Sequence, residues 1–130
     1  MRALLDTNAV SEIWRGNERL ARSMAQLSEV VLSTIVAGEL IRGFRSGRRF
    51  DKNMAVFRRF LAQPSVEVCD VDFETAETYG RLRSELDQQG TPIPSNDVWI
   101  AAQAIESAAE LWSFDGHFGA IKGLAWRRLE

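Results

Sequence analysis

The sequence predicts an α/β protein with a mostly parallel central sheet of about four to five strands, flanked by helices on both faces. Three observations carry this reading. Short apolar runs (RALL, VVLS, VEVC, ELWS and LAWRRL) recur along the chain, separated by longer stretches with helical spacing. The inner runs are apolar at successive positions, the pattern of strands covered on both faces. Strands alternate with helices, without an internal repeat, low-complexity tract or linker, which leaves one domain over residues 1–130.

Taken in order, RALL is too short for a helix and reads as an inner strand ending at Asp6. Val10, Ile13 and Trp14 follow at i, i+3 and i+4; Gly16-Asn17 stops that helix, and Leu20, Met24 and Leu27 carry a second. VVLS is the second strand. Helical spacing then runs from Thr34 to about Arg45, and Ser46-Gly47 separates it from a helix bearing Met54, Phe57 and Leu61. Pro64 precedes the third strand, VEVC, where Cys69 is expected in the core. Asp72 caps a long helix with Tyr79, Leu82 and Leu86 on one face, ending at Gly90. TPIPS is a stiff link into SNDVWIAAQAIESAA, a helix with Ser95 or Asn96 expected as its cap and Ala101, Ala104 and Ala108 on its small-residue side. ELWS is the fourth strand, FDGHF a turn that sets His117 beside Phe118, and LAWRRL the last strand. Trp14, Trp99, Trp112 and Trp126 are expected in the core or at a subunit interface.

Composition narrows the class. Hydrophobic residues at 45% and charged residues at 26% are those of a soluble globular protein. No apolar run approaches the roughly 18 residues of a membrane span, and Asp6 interrupts the first apolar segment too early for a secretory leader, so the cytoplasm is the expected compartment. One cysteine excludes an internal disulfide. The net charge of −2 hides a segregation: residues 41–60 hold Arg42, Arg45, Arg48, Arg49, Lys52, Arg58 and Arg59 against Asp51 alone, a local balance of +6. Residues 61–130 carry a balance of −7. Such a basic stretch is either a solvated helix face or a surface for a polyanion.

In an open α/β sheet, ligands sit outside the carboxyl ends of the strands, where Asp6 is placed. Asp115 follows the fourth strand by the same logic, with Ser113 just before it, although Asp-Gly is also an ordinary turn. Asp97 falls in the first turn of its helix, either answering the helix dipole or, through the small-residue side, facing the sheet edge. Glu39 is flanked at −4, −3 and +4 by Ile35, Val36 and Gly43, so it projects from an apolar stripe. An exposed pair with Arg42 is worth only a few tenths to about 1 kcal/mol and hardly accounts for a carboxylate there. Four acids from four segments suggest a cation, and oxygen donors suit Mg2+ or Mn2+ rather than zinc.

LLDTN at the start, AGEL followed by RGF, PIPSNDVWIAAQA and LWSFDGHF together resemble the PIN-domain ribonucleases, in particular the VapC-type toxins of bacterial toxin–antitoxin modules, over the whole chain. The resemblance implies a Mg2+-dependent endoribonuclease, with Mn2+ able to substitute, that hydrolyses RNA phosphodiester bonds. It implies Asp6, Glu39, Asp97 and Asp115 as the catalytic, metal-binding acids, Glu39 being either a ligand or a base that positions water. Asn8 and Ser113 stand where the family keeps hydrogen-bonding residues behind the acids. Gly38, where alanine is more usual, and Ala108-Ala109, in place of a common glycine, are mild departures. The partners implied are RNA, a cognate antitoxin that occupies the acidic pocket, and a second copy of the chain within a larger complex. Given a phosphate substrate, Arg42, Arg45, Arg48 and Arg49 become the expected contact surface for RNA or the partner. Two alternatives stay open: a PIN nuclease of RNA maturation, and a phosphoacceptor receiver-like module using Asp70. The latter needs an acidic pair after the first strand and a well-placed lysine, whereas Asp6 stands alone and Lys122 is poorly placed.

Overall fold

The computed structural model describes all 130 residues. Five strands, β1 (Arg2–Leu5), β2 (Glu29–Ser33), β3 (Val66–Cys69), β4 (Glu110–Ser113) and β5 (Trp126–Arg128), form one sheet in the order β3-β2-β1-β4-β5. Every neighbouring pair is parallel. Six helices connect them: α1 (Thr7–Trp14), α2 (Glu18–Ala25), α3 (Thr34–Arg45), α4 (Phe50–Leu61), α5 (Phe73–Gln89) and α6 (Ser95–Glu106), with a 3-10 turn at Gly116–Ala120. Ala3, Leu4 and Leu5 are all fully buried although their side chains alternate in direction, so both sheet faces are covered, as the continuous apolar runs predict.

The order of strands positions the site. From β1 the chain steps outward to β2 and β3, then returns across the sheet to place β4 on the other side of β1. The connections leaving β1 and β4 therefore diverge, opening the crevice at the carboxyl edge where α/β proteins hold ligands. Asp6 closes β1 with its N–H donating to the Trp112 carbonyl at 3.2 Å, and its Oδ1 accepts from the Ala9 N–H at 3.0 Å, capping α1. Ser33 and Asn17 cap α3 and α2 in the same way, and Asp72 with Thr75 forms a capping box on α5.

α6 is the helix whose placement matters most. It starts directly after Pro94 without any side-chain cap, so neither Ser95 nor Asn96 takes the expected role; Pro94 ends the extended link and its carbonyl opens the helix instead. Ala101, Ala102 and Ala104 are fully buried and let α6 lie close to the sheet. Gln103 is fully buried too. It accepts from the Ser33 hydroxyl and donates Nε2–H to the Cys69 carbonyl at 3.1 Å, tying α6 to the ends of β2 and β3. Cys69, expected in the core, is half-buried because β3 is an edge strand. Ala108 also departs from expectation. It lies beyond the helix and is exposed, with φ 51°, and the Ala108 and Ala109 N–H groups close α6 onto the Ile105 and Ala104 carbonyls. That is the left-handed closing position glycine usually fills.

Tryptophan placement follows the sequence reading. Trp112 is buried in β4, Trp14 joins Phe44, Phe57 and Phe60 in an aromatic cluster between α1, α3 and α4, and Trp99 stacks on Tyr79 at 3.9 Å between α6 and α5. Ala108→Gly is expected to stabilise the protein by about 1 kcal/mol, because the left-handed conformation is costly for a residue with a Cβ. Gln103→Leu is expected to destabilise it by about 1–3 kcal/mol, since the Ser33 hydroxyl and Cys69 carbonyl lose their buried partner. Urea denaturation of both variants measures the two effects.

Candidate metal centre

The sequence places four acids in four separate segments, and the fold gathers them. Asp6 ends β1, Asp115 follows β4, Asp97 sits in the first turn of α6, and Glu39 lies in the second turn of α3. With Thr7, Asn8, Ile100 and Phe118 they line one cavity of about 240 Å³ at the carboxyl edge. Asp6 is only 7% exposed, and Asp97 and Glu39 are half-buried. No lysine or arginine lies within ion-pair distance of any of the four; the pair of Glu39 with Arg42 that the sequence allows does not form. Asp70, needed by the receiver-like alternative, is exposed at the end of β3 and does not line the cavity.

Three of the four carboxylates accept hydrogen bonds from neighbouring groups. The Thr7 hydroxyl donates to Glu39 Oε1 at 2.6 Å, fixing the rotamer of a side chain that comes from a different element. Ser113 is fully buried, and its Oγ accepts from the Asp115 N–H at 3.0 Å while its hydroxyl also supports Asp6. Asn8 lines the cavity but is exposed at its rim. Asp115 caps its own 3-10 turn, with Oδ1 accepting from the His117 N–H at 3.2 Å.

That turn returns His117 to the acids, a placement beyond the simple turn role expected of it. Its Nδ1 lies 3.0 Å from Asp115 Oδ1, and its Nε2 lies 3.0 Å from Asp97 Oδ2. The Nε2 approach is off the axis of a hydrogen bond, leaving that atom buried without a hydrogen-bond partner. One donor atom each from Asp97, Asp115 and His117 lie within 4.8 Å of one another, whereas Asp6 and Glu39 border the same cavity outside this tight group. Two functional neighbours were thus missed from sequence, His117 and Thr7. For His117 the usable signal was its position two residues after an aspartate in an Asp-Gly turn, which folds back onto that aspartate. Thr7 carried no signal beyond adjacency to Asp6.

The electrostatics are those of a site short of positive charge. Burial pushes the Asp6 carboxyl above its ordinary range; the Ser113 and Ala9 hydrogen bonds pull it down, and Asp115 and Glu39 push it up further. Burial likewise raises Asp97, with His117 opposing and Glu39, Asp115 and Asp6 adding repulsion. Oxygen donors aimed into one cavity without a guanidinium or ammonium fit a hard divalent cation, and Asp97 and Asp115 are the acids best grouped to hold it.

Arg42, Arg45, Arg48 and Arg49 lie outside this cavity. All four are exposed, and none pairs with an acid; the Arg45 guanidinium sits 3.9 Å over the Phe50 ring.

A carboxyl whose folded-state pKa is raised holds more protons folded than unfolded, so its contribution makes stability fall as pH rises from about the ordinary aspartate range, 3.8, through the raised value. At neutral pH the whole penalty is present. Asp6→Asn keeps an oxygen to cap α1 and removes the charge. In chelator, the variant is expected to be more stable to urea than the native chain at pH 7.5, with the difference shrinking as pH falls toward 4; a constant difference contradicts the repulsion.

Comparison with known proteins matches this geometry to a family. The PIN-domain model matches residues 3–124. Ribonuclease VapC2 of Rickettsia felis is 33% identical over 88 residues, covering 68% of this chain and 64% of that protein. Ribonuclease VapC1 of Haemophilus influenzae is 28% identical over 129 residues, 95% of each chain. The crystal structure of Rickettsia felis VapBC2, bound to a DNA fragment from its promoter, contains a chain that covers 100% of this one and is itself covered over 100%, with a TM-score of 0.89 and 28% identity. The chain therefore belongs to the PIN-domain family, among its VapC ribonucleases.

Proposed function

We propose that this protein is a divalent-metal-dependent endoribonuclease, using Mg2+ or Mn2+, and the toxin of a VapBC-type toxin–antitoxin pair. The observation that carries the metal dependence is the gathering of Asp6, Glu39, Asp97 and Asp115 in one cavity without an arginine or lysine to neutralise them. An RNA phosphate does not approach four carboxylates unless the local sign is reversed. A bound divalent cation supplies that charge and lowers the pKa of water at the site.

The protein's own side chains then have separable tasks. Asp97 and Asp115 bind the cation, with Asp6 supporting from the end of β1. Glu39, held by Thr7 through one oxygen, keeps the other free to ligate or to orient a water for in-line attack. Ser113 fixes Asp115 through its backbone and Asp6 through its hydroxyl, and Asn8 at the rim is placed to meet substrate. Arg42, Arg45, Arg48 and Arg49 offer unpaired, exposed cations to the RNA backbone, setting position rather than sequence.

The toxin role is supported by the VapBC complex to which the chain is similar over its full length. A groove of about 400 Å³ continues from the acidic cavity, sharing Thr7 and Glu39 and walled by Trp14, Leu40 and Phe44. It is suited to a segment of the antitoxin, within an assembly built on a homodimer of this chain. No helix is long and apolar enough to cross a membrane, in keeping with action in the cytoplasm.

The test is cleavage of structured RNAs by the purified protein with and without chelator. Asp97→Asn preserves volume and is expected to keep the fold by circular dichroism while lowering cation-dependent cleavage by about two orders of magnitude or more. Undiminished cleavage by a pure, folded variant refutes the assignment, as does cleavage by the native chain that chelator leaves untouched.

A further inference from the structure

We propose that His117 is a direct nitrogen ligand of the divalent ion and that it makes the site favour Mn2+ over Mg2+. This rests on reading the acidic cavity as the metal centre and names the ion's additional ligand and its chemical preference.

The geometry is that of a metal-binding histidine and its supporting carboxylate. In such sites one ring nitrogen faces the ion while the other donates to an oxygen that fixes the tautomer and the ring plane. Here Nδ1 lies 3.0 Å from Asp115 Oδ1. Nε2, beside Asp97 Oδ2, is buried and lacks a hydrogen-bond partner, an arrangement that native interiors seldom leave uncompensated. The ring is not free to swing away: its backbone N–H is held by Asp115, and it packs at a steep angle against the buried Phe118 ring, 4.7 Å between centroids. The side chain is only 25% exposed, the same as Asp97. Nε2, buried and making no hydrogen bond to the Asp97 oxygen 3.0 Å away, sits where donor atoms of Asp97 and Asp115 also converge, the spacing of neighbouring ligands around one ion.

The preference follows from the donor set. Mg2+ binds oxygen and sheds water reluctantly, gaining little from an imidazole. Divalent first-row ions take imidazole nitrogen more readily than Mg2+ does, and among them Mn2+ is the one that also suits carboxylate oxygen. Replacing His117 removes that advantage for Mn2+ and leaves binding of Mg2+ by the carboxylates nearly as it was.

The experiment uses the full chain, freed of metal, titrated with MnCl2 or MgCl2 by calorimetry, with Mn2+ electron paramagnetic resonance as the second readout. The native chain is expected to bind Mn2+ more tightly than Mg2+ and to show nitrogen-14 hyperfine coupling from a coordinated imidazole. His117→Ala is expected to lose the coupling and about 10- to 100-fold of Mn2+ affinity, with Mg2+ affinity changed far less. His117→Gln serves as the second variant where the alanine chain folds poorly, and the coupling measured on the native chain needs no variant. Bound Mn2+ without nitrogen coupling, or equal losses for both ions, overturns the histidine ligand while leaving the carboxylate centre standing. Failure of the native chain to bind either ion overturns the metal centre itself, and the ligand with it.

Discussion

Like charge brought together governs this structure. Parallel strands that meet at one edge deliver Asp6 and Asp115 to the same crevice, and the helices α3 and α6 add Glu39 and Asp97 to it. Nothing nearby carries a guanidinium or an ammonium to offset them. A fold that concentrates negative charge in a half-buried cavity must spend stability elsewhere to keep it closed, a pattern typical of sites built for chemistry. The apolar body provides that stability: three consecutive fully buried residues in β1, a large aromatic cluster beside α1, and alanines that bring α6 against the sheet.

The supports are distributed so that no single contact carries the site. Gln103 fastens α6 to the ends of β2 and β3 on one side of the cavity, Thr7 braces Glu39 on another, and Ser113 reaches both Asp6 and Asp115. At the far end of the sheet, Arg2 pairs with Glu29 at 2.7 Å and Glu67 at 2.6 Å and also meets the Ser107 carbonyl, joining three strands to the close of α6. These ion pairs are partly exposed and modest in worth, but they clamp the sheet at the edge opposite the crevice.

How much of this was legible in the sequence depends on distance along the chain. All five strands and the helices could be read, because apolar runs, helical spacing and breakers such as Gly16-Asn17 and Gly90 act locally. The acids could be read because Glu39 sits on an otherwise apolar stripe and Asp6 and Asp115 end strands. The start of α6 was misread since Ser and Asn are good caps in general, and only the rigid PIPS link decides that Pro94 opens the helix. Ala108 was counted on a helix face, although its place at the helix end, where the family commonly has glycine, was the better guide to the left-handed turn it makes. His117 was judged by its neighbours in sequence, whereas its meaning comes from Asp97, twenty residues away and brought close only by the fold. The arginines of residues 42–49 are visible as a charge run, but which surface they serve depends on a molecule outside this chain.

The pairing of β1 with β4 has a consequence for how such a protein comes into being. Residues Ala3 to Leu5 and Glu110 to Trp112 lie side by side although more than a hundred residues separate them, and contacts so remote in sequence form late and slowly. A chain still emerging from the ribosome, lacking its final strands, therefore has no assembled crevice. The crevice is thus a property of the finished polypeptide, absent at every earlier stage of its synthesis.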